Sequence, residues 1–132
     1  MMLENFDRFT EGGKSYVPKI SIRKRGQIGF NNGAFKKFDL ENRSYAILYM
    51  SKDKRQIAIR FTNDPDEKGV VKLVKKAGNS FVSGKTFLDY HEIEYNNIKK
   101  RSFEAEWYPE EQAAVIDIAE RETKKEGDAA AS

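Results

Sequence analysis

The fold is indicated by residues 19–40, which read KISIRKRGQIGFNNGAFKKFDL. Apolar and polar side chains alternate in KISIR and again in QIGF, which is the period of two typical of half-buried β-strands. The KRG segment between the two strands predicts a tight turn, because glycine adopts positive φ without steric cost. The stretch is therefore expected to begin with a β-hairpin.

A short helix is predicted directly after this hairpin. Asn31 or Asn32 suits its N-terminus, because an asparagine side chain accepts a hydrogen bond from the unpaired N–H groups of the first turn. Ala34 and Phe38 lie about one helical turn apart and are expected to face inward. Lys36 and Lys37 then face solvent.

A second hairpin follows the helix. The continuous apolar run at 45–50, YAILYM, has the length of a central strand, and the polar residues 51–55 predict a turn. Ile57, Ile59 and Phe61 alternate with other residues and are expected to point inward from the returning strand. The first half of the chain therefore has the order β-β-α-β-β.

The same order recurs after a turn-rich connector at 62–69. Superposing the two halves gives three correspondences: Gly26 with Gly78, Asn31 with Ser83, and Phe38 with Tyr90. Leu40 corresponds to Ile93 if the second half carries one extra residue, and Ser83 is expected to cap the second helix. A hairpin with one short helix is marginal in water by itself, so we expect the two halves to pair about a pseudo-twofold axis.

The predicted fold class is mostly β (α+β), with two β-β-α-β-β repeats forming a small β-barrel-like domain. We expect a flexible lead-in at residues 1–15, a single domain at 16–120 and a disordered tail at 121–132. Within the domain, the first repeat spans about 19–62 and the second about 69–118.

The composition indicates a globular protein outside the membrane. Hydrophobic residues make up 39% and charged residues 34% of the 132 residues, and no apolar run approaches the roughly 20 residues of a membrane-spanning helix. The first residues, MMLENFD, lack the features of a signal peptide, and there is no cysteine for a disulfide or thiolate metal site. A cytoplasmic location is expected.

Candidate catalytic groups are sparse. The single histidine, His91, lies near Asp89 and Glu92 at a predicted helix end, where a capping or surface role is expected. Strand alternation places Glu104 and Glu106 outward, and no spacing of His, Asp or Glu resembles a metal site. We therefore expect no catalytic residues, no metal and no cofactor, and we predict that the chain is not an enzyme.

The charge is distributed unevenly along the chain. Residues 1–62 contain 13 Lys/Arg against 6 Asp/Glu, whereas residues 102–132 contain 3 against 9. The excess of basic residues at 1–62 favours an anionic partner, and nucleic acid is the commonest such partner. The alternative is that these side chains form an ordinary solvated surface.

Nine basic residues are the candidate nucleic-acid contacts. Three crowd the first hairpin tip, where they can reach phosphates, three flank the first helix, and three occupy the equivalent places in the second half. They are Arg23, Lys24, Arg25, Lys36, Lys37, Arg43, Lys75, Lys76 and Lys85. Two basic tips on one face are expected to suit two successive grooves of a duplex.

Residues 25–40 resemble the AbrB/MazE/MraZ class of swapped-hairpin proteins. The similarity comprises a glycine turn, an alternating strand, a short helix with basic residues and an apolar pair before the next strand. Residues 75–118 fit the same template more loosely. The resemblance implies a DNA-binding β-domain of transcriptional-regulator type, and since most members dimerise, a homo-oligomer is compatible with it.

Two other functions remain open at this stage. Tyr16, Phe35, Tyr45 and Tyr49 are interleaved with the basic residues, and exposed aromatic rings stack on unpaired bases in proteins that bind single-stranded DNA or RNA. The acidic C-terminal segment instead favours a protein-interaction module, such as an antitoxin or phage accessory factor, that contacts a basic partner.

Overall fold

The computed structural model describes residues 2–5, 16–76, 79–119 and 121. In this part of the chain the strands are β1 (Lys19–Ile22), β2 (Gln27–Phe30), β3 (Tyr45–Met50), β4 (Gln56–Thr62), β5 (Val71–Lys76), β6 (Asn79–Ser83), β7 (Ser102–Tyr108) and β8 (Ala113–Asp117). The α-helices are α1 (Asn32–Lys37) and α2 (Lys85–Tyr90), with 3-10 turns at Met2–Asn5 and Leu40–Asn42.

The strands close into an antiparallel barrel in the order β1-β2-β6-β5-β3-β4-β8-β7. Exchanging β1 with β5, β2 with β6, β3 with β7 and β4 with β8 gives the same circular order, read in the opposite direction. The two units interlock, because β2 pairs with β6 and β4 pairs with β8. The predicted mostly-β fold with two β-β-α-β-β repeats is confirmed, and closure removes the sheet edges that a lone repeat would expose.

Inward-pointing side chains of both units fill the barrel. Ile20, Ile28 and Ile57 are completely buried, as the alternation of the strands predicted. The ring of Phe38 stacks on Trp107 with centroids 4.6 Å apart and lies 5.9 Å from that of Phe61. Residues from both repeats therefore share one apolar core.

The first unit follows the sequence prediction closely. Asn31 is the N-cap of α1, since its Oδ1 accepts a 2.8 Å hydrogen bond from the N–H of Ala34. The same side chain also contacts the backbone of Val17 and Lys19, so it joins the helix to the start of β1. Leu40 is buried after Asp39, which adopts a left-handed conformation with φ 54°.

The second unit differs from the predicted alignment by one residue. Gly84, not Ser83, is the N-cap of α2, and Ser83 is the last residue of β6. A Cβ on residue 84 would lie 2.6 Å from Cδ1 of Ile28, so the close packing excludes a larger residue there. Tyr90 is 80% exposed and therefore does not take the inward role of Phe38.

The correspondence of Leu40 with Ile93 fits the structure, because Ile93 is also buried and follows a left-handed residue, Glu92 (φ 59°). Gly78 lies outside the described residues, as do most of the predicted lead-in and all but the first residue of the predicted tail. Among the helices that are described, none is long and apolar enough to cross a membrane.

Candidate nucleic-acid interface

Arg23 follows β1, and its side chain folds back over the outer surface of the barrel. Its Nη1 donates to Oε1 of Gln27 at 3.1 Å, and its Nη2 donates to Oδ1 of Asn79 at 2.7 Å. Its guanidinium carbon lies 5.4 Å from the centroid of the Phe81 ring, which is a cation–π distance. Contacts with both units therefore fix the orientation of this cation.

Gly29 provides the space that Arg23 occupies. The registers of β1, β2, β6 and β5 place Ser21, Gly29, Phe81 and Val74 in one outward-facing row. A Cβ on residue 29 would lie 2.6 Å from Cζ of Arg23. The guanidinium can lie against the strand only because residue 29 has no side chain.

We define the basic face as the outward residues of β1, β2, β6 and β5 together with the β1–β2 turn. These strands read KISI, QIGF, NSFVS and VKLVKK, and the turn reads RKRG, so the face contains no Asp or Glu. Arg23 is held by two amides and a ring, which are neutral groups and do not cancel its positive charge. Among the described residues, Lys85 alone of the nine candidate cations forms an ion pair with a carboxylate.

The two hairpin tips lie at opposite ends of the β2–β6 ribbon. Gln27 pairs with Ser83 and Phe30 pairs with Ser80, so the β1–β2 turn and the start of β6 are separated by a ribbon about 10 Å long. The predicted contact of the two tips with successive grooves of a duplex stays a prediction.

A cleft of about 340 Å³ lies at the second of these tips, between the start of α1 and the β5–β6 hairpin. Its walls include Asn32, Phe35, Lys75, Lys76, Asn79 and Ser80. The Nζ of Lys75 donates to the backbone carbonyls of Glu41 and Arg43 at 3.0 and 2.8 Å. Since Asn79 also contacts Arg23, the cleft is continuous with the basic face.

Lys36 and Lys37 lie on the exposed side of α1, next to this cleft. The Nζ of Lys36 is 5.5 Å from the centroid of the Tyr16 ring. Asp39 and Glu41 line the adjoining groove together with Tyr16 and Lys36. Positive charge therefore diminishes beyond α1, where these carboxylates lie.

The remaining candidates are placed differently. Lys24 and Arg25 are exposed at the β1–β2 tip. Arg43 is half-buried and its Nη2 donates to Oε1 of Gln112, away from the basic face.

Lys85 contacts Asp89 of its own helix and Tyr95, which follows the helix. Its Nζ lies 2.9 Å from Oδ2 of Asp89 and 3.1 Å from the hydroxyl of Tyr95. The Asp89 carboxylate, followed by the Tyr95 hydroxyl, raises the pKa of Lys85, and Lys85 in turn lowers the pKa of Asp89. The charge of Lys85 is therefore balanced within the protein.

Acidic residues are concentrated on another part of the barrel. Residues 102–119, which form the β7–β8 hairpin, contain five Asp/Glu and no Lys or Arg. Glu104 and Glu106 are exposed, as the alternation predicted. This acidic hairpin adjoins the basic face at β1, where Glu104 pairs with Lys19, and adjoins β4 on its other side.

Sequence reasoning missed the residues that position Arg23. Gln27 and Gly29 were predicted only as residues of a strand, and Asn79 and Phe81 were given no role in binding. Gly29 offered the available signal, because an interior strand glycine often marks the close approach of another group. The contact between Arg23 and Asn79 joins residues 56 positions apart, and no local pattern indicates it.

No group of three or more His, Asp or Glu residues able to hold a metal ion occurs in the described part of the chain. Comparisons with family models, with curated proteins and with solved structures found no match to this chain. The AbrB/MazE/MraZ resemblance accordingly stays a prediction.

Proposed function

We propose that this chain is a DNA-binding protein of transcriptional-regulator type, which binds duplex DNA through the basic face. The observation that carries the proposal is the guanidinium of Arg23. It is held in one orientation by Gln27, Asn79 and Phe81, yet it forms no ion pair with any carboxylate of the described residues. A fixed, unneutralised cation on an acid-free surface is suited to an anionic ligand.

The donor inventory of Arg23 fits a phosphate. A guanidinium has five N–H donors, of which the two hydrogen bonds to Gln27 and Asn79 use two. Arginine binds phosphate oxygens through pairs of parallel hydrogen bonds. Contacts of this kind fix the register of DNA without reading sequence, so binding is expected to tolerate many sequences.

The spacing of the hairpin tips favours one groove of a duplex. The major groove of B-DNA is about 12 Å wide, and the β2–β6 ribbon that separates the β1–β2 turn from the start of β6 has a similar length of about 10 Å. Lys24 and Arg25 at one tip and Lys75 and Lys76 at the other can therefore approach phosphates on both sides of a single groove. Arg23 then lies between them.

The test is the binding of a short labelled duplex, measured by fluorescence anisotropy between about 50 and 200 mM salt. Arg23→Gln is expected to weaken binding about tenfold and to reduce the slope of log K against log salt by about one. The matched control is Arg60→Gln. Arg60 is another half-buried arginine; it lies on β4 and is ion-paired with Glu67. Equal affinities of the two variants, or binding that ignores salt, would overturn the proposal.

A single-stranded ligand is the second candidate. The rings of Phe35 and Tyr16 lie beside Lys36, and Phe35 also lines the cleft with Lys75 and Lys76. Aromatic rings beside lysines suit unpaired bases with their phosphates. Tighter binding of an unpaired oligonucleotide than of the matching duplex in the same anisotropy assay would favour this candidate.

A further inference from the structure

The cleft between α1 and the β5–β6 hairpin combines three kinds of chemical group. Phe35 supplies an aromatic surface, Asn32 and Asn79 supply amides, and Lys75 and Lys76 supply positive charge. Its volume of about 340 Å³ is at the lower end of the range for small-molecule sites. It therefore has room for one nucleotide-sized group.

Polar groups in the cleft are suited to the edge of a base. The Oδ1 of Asn79 accepts from Arg23, which leaves the amide nitrogen to donate to a ligand. Ser80, which has a polar side chain, is buried in the barrel and only 4% exposed. Its hydroxyl can donate or accept, so the cleft offers both kinds of hydrogen-bonding group.

The equivalent position in the other unit is closed by direct packing. There the β1–β2 turn contacts the start of α2, and the N–H of Gly84 donates to the carbonyl of Gly26 at 2.9 Å. A Cβ on residue 26 would lie 2.8 Å from Cα of Lys85. The start of α2 is therefore covered by the β1–β2 turn.

We infer that the cleft receives one unpaired base of bound DNA, which stacks on Phe35 while its phosphate lies near Lys75 and Lys76. This inference rests on the proposed function, because the DNA reaches the cleft across the basic face. Asn79 joins the two sites, since it holds Arg23 on one side and lines the cleft on the other. A base must leave its stack to enter, which costs least where it has no partner.

The experiment compares two duplexes that differ only in one extra 2-aminopurine nucleotide, placed as a bulge in the second duplex. The wild type is expected to bind the bulged duplex about tenfold more tightly, the value for stacking one base on an aromatic ring. A change in 2-aminopurine fluorescence on binding reports the new surroundings of the base. Phe35→Leu and Asn32→Ala are expected to remove the preference and keep the affinity for the fully paired duplex.

Each variant has a matched control. Phe87→Leu makes the same substitution at a half-buried phenylalanine of α2, and Asn96→Ala makes the same substitution at an exposed asparagine outside the cleft. Both controls are expected to retain the tenfold preference. Asn32 is exposed, so its variant stays informative if Phe35→Leu does not fold.

Equal binding of the two duplexes by the wild type would overturn the inference and leave the proposed function standing. A preference that persists in both Phe35→Leu and Asn32→Ala would also overturn it. If the wild type binds neither duplex, the proposed function itself is wrong and the inference is overturned with it.

Discussion

The Nη2 of Arg23 donates a 2.7 Å hydrogen bond to Oδ1 of Asn79, which begins a strand of the other repeat. Arg23 belongs to the first repeat, so the position of this guanidinium depends on how the two repeats pair. The β2–β6 register, in which Gly29 pairs with Phe81, brings the groups together. The barrel thus determines where the charge of a flexible side chain lies.

Gly29→Ala is expected to displace Arg23 without unfolding the barrel. The added Cβ would contact the far end of the Arg23 side chain rather than the backbone of a neighbouring strand. Duplex affinity should fall about fivefold, the cost of ordering a mobile side chain on binding. Anisotropy measures the affinity, and urea denaturation should show an unchanged midpoint. If Gly29→Ala binds the duplex as tightly as the wild type, the position of Arg23 does not contribute to duplex affinity.

Asn79→Ala is expected to weaken duplex binding less than Arg23→Gln does. The charge of Arg23 remains, but the guanidinium loses one of its two side-chain hydrogen bonds. We expect a loss of about threefold with an unchanged salt slope, since the number of cations stays the same. Asn96→Ala is the control, and a reduced slope in Asn79→Ala would contradict this interpretation.

Lys76→Gln and Lys85→Gln are expected to behave differently, although each removes one lysine. Lys76 has no ion-pair partner among the described residues, whereas Lys85 is paired with Asp89 at 2.9 Å. Lys76→Gln should reduce the salt slope by about one, and Lys85→Gln should leave duplex affinity within about twofold. The same salt titrations measure both variants. Equal slopes would show that the DNA does not distinguish paired from unpaired lysines.

Gly26→Ala is expected to destabilise the protein more than Gly69→Ala. Both glycines have positive φ, 87° and 82°, so both substitutions carry a conformational cost of about 1 kcal/mol. Only residue 26 packs against Lys85, whereas an added Cβ at residue 69 meets nothing within 4 Å. Overpacking should add about 1–3 kcal/mol to the loss of unfolding free energy for Gly26→Ala. Urea denaturation measures both values, and equal losses would argue against the close turn-to-helix contact.

Much of the fold could be predicted from local patterns. The alternation in KISIR and QIGF identified β1 and β2, and the asparagine before the helix identified its cap. The second unit was misaligned because Ser83 is a good capping residue in isolation. The packing of Ile28 against residue 84, which is a tertiary contact, decides the actual cap.

The candidate site was less accessible to sequence reasoning. The basic residues were identifiable by composition, but their partners come from strands that are distant in the chain. Lys85 was predicted as a contact because the lysine alone gives no sign of Asp89 and Tyr95 beside it in the fold. Arg23 was predicted at a hairpin tip, because the space over Gly29 exists only after β2 and β6 have paired.

The most direct test of duplex binding by the basic face is a titration of the ¹⁵N-labelled protein with a short DNA duplex, followed through backbone amide chemical shifts. We expect the largest changes at Ser21, Gly29, Phe81 and Lys76, on the basic face, and little change at Ala58 and Val115, which pair across β4 and β8. The largest changes on β4 and β8, or none anywhere at saturating DNA, would contradict this expectation.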